Sequence, residues 1–149
     1  MNDDTIHLEI SGNGNFLRIE PLKWSHPNAE MDWDKNWITV TLYVKAGAFH
    51  GEFGADFMTI DFINFRNELI KLYDNLNGIA RFHTLEEQIG IQITGDGFGH
   101  LTAECFAMDY SGIGNKLQFE IDFDQSYIPI ILKQLEVITS KFPKIGELT

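Results

Sequence analysis

Between Trp37 and Ala46, apolar Ile38, Val40, Leu42 and Val44 alternate without a fault with Thr39, Thr41, Tyr43 and Lys45. Successive side chains on a strand point to opposite faces, so this stretch can fold only as a strand with one dry and one wet side. The alternation returns three times. Ile89, Ile91 and Ile93 share one face; Leu101, Ala103, Cys105 and Ala107 oppose His100, Thr102 and Glu104; Leu117, Phe119, Ile121 and Phe123 oppose Gln118, Glu120 and Asp122. Strands patterned so cleanly belong to antiparallel sheets covered on one face. Asn13-Gly14 and Asp96-Gly97 supply hairpin turns, the first joining Thr5–Ile10 to Asn15–Glu20. Residues 21–36 hold no period and read as a long loop.

The period changes twice. Phe62, Phe65, Leu69, Leu72, Tyr73 and Leu76 recur at intervals of three and four, the stripe of an amphipathic helix. Thr59 or Asp61 suits its N-cap, and Asn77-Gly78 suits its left-handed end. Ile128, Ile131, Leu135, Ile138 and Phe142 form a second stripe, with Pro129 in the first turn where it is tolerated. The fold expected is a single α+β domain over residues 1–149. Its core is an open, mainly antiparallel sheet of about six to eight strands with two amphipathic helices packed on one face.

Charge narrows the function. Across 149 residues, 22 acidic groups outweigh 11 basic ones, a formal charge of −11. Nucleic-acid and anionic-membrane surfaces need clustered Lys and Arg, so no nucleic acid and no membrane are the expected partners. The start, Met1-Asn2-Asp3-Asp4, lacks the features of a secretory signal, and the longest apolar run, Tyr127–Leu132, is only about a third of a membrane span. One cysteine, Cys105, fits a reducing compartment; a cytoplasmic location is expected.

Motifs for chemistry are mostly incomplete. Asp32-x-Asp34-x-Asn36 opens like a calcium loop, but Trp37 and Tyr43 occupy the places of its Gly and Glu. Gly95-Asp96-Gly97-Phe98-Gly99 joins strand to strand, without the helix a phosphate cradle needs. The five histidines have no local zinc spacing, although His50 and His100 are free to meet across a sheet. No catalytic residue, cofactor or metal is therefore assigned. The wet sheet face is the candidate surface, with Tyr43, Glu52, His100, Glu104, Glu120 and Asp122 as candidate partner-binding residues. Its acidity suits capture of a basic partner. The alternative is an enzyme or a small-ligand or metal-binding domain built on His50, Glu52, His100 and Glu104.

Several segments resemble a known family. They are Asp32-Trp33-Asp34-Lys35-Asn36-Trp37-Ile38-x-Val40, Ala46-Gly47-Ala48-Phe49-His50-Gly51-x-Phe53, Leu72-Tyr73, Gly99-His100-Leu101, Asp124-Gln125-Ser126-Tyr127-Ile128-Pro129 and Gln134-Leu135. In this order, over roughly residues 30 to 143, they resemble the WapI-like immunity proteins. The resemblance implies a small cytoplasmic bacterial protein that binds and blocks the C-terminal domain of a cognate polymorphic toxin. It implies a non-enzymatic role and carries over no catalytic residues; a basic toxin domain would suit the charge. The oligomeric state is left open.

Overall fold

The computed structural model describes residues 5–147. Eight strands form two separate four-stranded antiparallel sheets, in the orders β1-β2-β3-β4 and β5-β6-β7-β8. The first holds β1 (Leu8–Gly12), β2 (Asn15–Trp24), β3 (Trp37–Ala46) and β4 (Phe49–Met58). The second holds β5 (Asn77–His83), β6 (Ile89–Asp96), β7 (His100–Met108) and β8 (Lys116–Asp124). A four-residue helix, α1 (Asp32–Lys35), precedes β3; α2 (Thr59–Asn75) joins the sheets; α3 (Ile128–Lys141) follows a 3-10 turn at Gln125–Tyr127.

The expected class and strand pairing hold, but the single sheet does not. Both sheets turn their apolar faces into one cluster that includes Leu17, Leu42 and Phe57 from the first, and Phe82, Ile93 and Ile121 from the second. The two long helices pack on each other, with their main strand contacts in different sheets. Helix α2 packs against β5 and α3, and α3 against β1. Period two says that one face of a strand is dry, and leaves open whether a helix or a second sheet dries it.

The sheets meet where β1 runs beside β8. Gly12 makes this approach possible: a Cβ there would stand 1.9 Å from the Asp122 carbonyl oxygen. The β1–β2 turn is fastened to β8 by the Asp122 N–H donating to Asn13 Oδ1 (3.3 Å) and Asn15 Nδ2 donating to the Glu120 carbonyl (2.8 Å). Asn13 and Gly14 both have positive φ (44° and 85°), as the two-residue turn requires.

Three local expectations need correction. The segment 21–36 is not all loop, because β2 continues through Pro21 to Trp24 with a register shift between Pro21 and Lys23. A bulge accommodates a residue that lacks an N–H. Helix α2 ends with Leu76, not Asn77-Gly78, in the left-handed region (φ 58°). The Leu76 N–H donates to Leu72 and its carbonyl accepts from Gly97, a tertiary contact that outweighs the preference for glycine. At the other end, Thr59 does not cap. Its hydroxyl donates to the Phe142 carbonyl, and Asp61 Oδ2 accepts the Met58 N–H at 3.0 Å.

Asn36 is fully buried and ties the C-terminal segment to β3. Its amide donates to Ile145 O (3.0 Å) and Asp32 O (2.7 Å), and its Oδ1 accepts from Ile145 N (2.8 Å). The acidic opening of the false calcium motif is thus a helix turn locked by an amide. No helix among the described residues is long and apolar enough to cross a membrane.

Candidate partner-binding face

The candidate residues fall on two surfaces. Tyr43 and Glu52 are cross-strand neighbours in the first sheet. His100, Glu104, Glu120 and Asp122 lie on the outer face of the second, where Glu104 faces Glu120 and Thr102 faces Asp122.

The outer face of the second sheet is built in rows. One runs Arg81, Gln92, Glu104, Glu120. Arg81 Nε donates to Gln92 Oε1 (3.1 Å), and Gln92 Nε2 to Glu104 Oε2 (3.5 Å), so the arginine reaches the acidic side only through an amide. A parallel row holds His83, Gly90, Phe106 and Gln118. Phe106 lies over Gly90, where a Cβ would come within 2.1 Å of the ring, and Lys116 Nζ sits 4.5 Å from the ring centre. This gives a half-buried aromatic flanked by shallow grooves, one between Glu104 and Glu120 and the other between Arg81 and Glu104.

Electrostatics at the far end keep the face negative. Asp96 is held below the usual carboxylate range, first by the Phe98 N–H (2.7 Å) and also by the His100 N–H (3.2 Å). Asp124 is lowered by the Ser126 N–H it accepts at 2.9 Å. Asp122 accepts the Thr102 hydroxyl (2.9 Å) and lies 3.7 Å from His100 Nε2. The four strands carry five carboxylates, Asp96, Glu104, Glu120, Asp122 and Asp124, against two cations, Arg81 and Lys116.

The first sheet's polar face differs. Arg18 is 2% exposed and Glu20 7%, and Arg18 Nε donates to Glu20 Oε2 at 2.7 Å while its Nη1 lies 3.5 Å from Glu9. Burial, then the Glu20 and Glu52 charges, raise the Tyr43 hydroxyl above its ordinary range. Sequence reasoning missed Arg18 and Glu20. The signal available was a cation between two acids at alternate positions of neighbouring strands, but the register that joins them is tertiary.

The alternative constellation is not assembled. His50 lines a cavity with Glu52, Ala107 and Lys116. His100 sits at the opposite end of β7, seven residues from Ala107, or roughly 23 Å of strand. Among the described residues no group of three or more His, Cys, Asp or Glu is placed to hold a metal. Cys105 is 5% exposed, and burial pushes its thiol up to about 12. Such a group is not a nucleophile at neutral pH.

The same fold occurs in solved structures of distant sequence. MRP1/MRP2 of Trypanosoma bruciei aligns with a TM-score of 0.51 at 8% identity, over 95% of this chain and 88% of that one. The plant transcriptional regulator PBF-2 aligns at 0.52 and 10% identity, over 95% and 84%. A guide RNA-binding protein complex bound to its guide RNA aligns at 0.51 and 9% identity, over 93% and 94%. At such identities the likeness is one of fold. No curated protein matches the chain. The model of the immunity protein WapI-like family matches residues 7–143, the span that includes both sheets, both long helices and the acidic face. The chain therefore belongs to the immunity protein WapI-like family.

Proposed function

We propose that this protein neutralises a cognate toxin domain by binding it, without chemistry of its own, through the acidic outer face of the second sheet. One observation carries the choice of surface: five carboxylates against two cations on the four strands, two of the acids held ionised by backbone N–H groups. Membership of an immunity family supplies the class of partner. His100, Glu104, Glu120 and Asp122 form the proposed contact, with Phe106 as its aromatic centre. Clustered negative charge steers a basic partner and speeds encounter. Tyr43 and Glu52, on the other sheet, then lie outside it.

A structural neighbour is bound to guide RNA. Phosphates approaching the outer face of the second sheet here would meet carboxylates, so the protein-binding reading is favoured. Expression of this protein with the C-terminal domain of a large secreted protein encoded beside it tests the proposal. Growth rescue and a complex at low salt are expected; neither rescue nor complex would reject it.

A further inference from the structure

We propose that two copies of this chain associate through the free edge of β4, pairing antiparallel about Phe53. Among the described residues, β4 ends the strand order of its sheet and nothing pairs with its outer edge. Ala46 and Phe49 flank a two-residue turn whose Gly47 has φ +60°. Flanking residues of such a turn bond to each other, so hydrogen bonding to β3 falls on alternate residues, Phe49, Gly51, Phe53, Ala55 and Phe57. His50, Glu52, Gly54 and Asp56 therefore turn their N–H and C=O groups away from β3, and all four are exposed. Proteins usually guard such an edge with Lys, Pro or a covering element. The sequence Phe-His-Gly-Glu-Phe-Gly-Ala-Asp-Phe-Met holds neither residue.

The occupant follows from self-complementarity. With the two-fold axis at Phe53, each outward residue meets one that also needs a partner. His50 faces the second copy's Asp56, and Glu52 faces its Gly54, so no two acids are opposed. Asp56 is already oriented by the hydroxyls of Ser25 (2.8 Å) and Thr39 (3.2 Å). On the inner side the two Phe53 rings meet at the axis. There a cavity of about 360 Å³ opens between Phe49, Phe53 and Leu117, and Phe49 is 69% exposed. The second copy's aromatics supply the wall it lacks. This interface uses the first sheet and does not depend on the toxin reading.

Two chains of charge −11 repel, so salt strengthens this dimer, whereas it weakens a complex with a basic partner. Sedimentation equilibrium of the full chain tests it. The mass should rise with concentration from 17.0 kDa towards twice that value, more strongly at high salt. Gly54→Pro removes one outward N–H and no bond to β3; a Cβ at this position meets nothing closer than 3.8 Å. That variant should remain a monomer. Should it fail to fold, amide exchange in the unaltered chain decides: His50, Glu52, Gly54 and Asp56 should gain protection as concentration rises. A monomer at every concentration would overturn the proposal, as would a dimer that Gly54→Pro leaves intact or one with concentration-independent exchange at those amides.

Discussion

Glu104 on β7 and Glu120 on β8 stand directly opposite one another, two carboxylates on one face of neighbouring strands. Among the described residues no salt bridge reaches either, and Glu104 receives only the Gln92 amide. Like charges directly opposed destabilise a sheet, so Glu120→Gln should stabilise the free protein by about 0.2–1 kcal/mol in urea melts. The same change should slow association with the toxin domain. A variant that gained stability with an unaltered on-rate would place the interface elsewhere.

Charge reversal sharpens the test. Glu104→Lys together with Asp122→Lys should lower the association rate and flatten its salt dependence, because long-range steering depends on the summed field. Glu52→Lys, on the other sheet, should have the smaller effect. Stopped-flow rates at several salt concentrations read both; equal effects of the two changes would count against a single docking face.

Gly12 is where the sheets touch. An alanine Cβ would lie 1.9 Å from a backbone oxygen, which cannot turn aside as a side chain can. Gly12→Ala should cost about 1–3 kcal/mol, the usual penalty of overpacking. Chemical denaturation measures it, and amide exchange should rise first along β1 and β8. An unaltered midpoint would mean that the two strands separate at little cost.

Asp61 introduces a pH dependence. Burial pushes its carboxyl up from 3.8 to about 6, against the opposing effects of the Met58 N–H and His83. Its folded pKa exceeds the unfolded one, so folding favours the protonated form. That contribution is complete below about pH 4 and is lost as pH rises through 6. Asp61→Asn keeps an oxygen to accept the Met58 N–H. It should add about 1–2 kcal/mol at pH 7–8, less than the full shift because the group is only half-buried, and nothing at pH 4. Thermal melts across that range check the sign.

Cys105 should ignore thiol reagents in the native state. Its Sγ lies 3.7 Å from the Ala103 carbonyl, and burial pushes the thiol up to about 12. Labelling at pH 8 should follow the rate of global unfolding. Fast labelling of the folded chain would show that the β7 face opens locally.

The strands were legible because their signal is local. Ile38 to Val44 and Leu101 to Ala107 point inward as their alternation requires, and Asn13-Gly14 makes the turn its backbone freedom permits. The candidate site was legible in part. His100, Glu104, Glu120 and Asp122 share a face because β7 and β8, consecutive in the chain, pair antiparallel in a register that sets Glu104 opposite Glu120 and His100 opposite Asp124. Tyr43 and Glu52 did not join them, since nothing within a strand says which sheet it enters. The buried Arg18–Glu20 pair and the Asn36 clamp stayed hidden for the same reason: each depends on a partner brought close only by the fold.

Sequence by itself determined which side of each strand would be dry, where the chain would turn, and that its surface would be negative. Alternation, turn chemistry and charge are properties of neighbouring residues. Only the tertiary structure decided that two sheets and two helices share one core, that Gly12 lets β1 lie beside β8, and that the second sheet carries five carboxylates against two cations while the outer edge of β4 has no strand beside it among the described residues. These depend on contacts between residues far apart in the chain, and burial of the shared core selects among arrangements that the local patterns allow equally.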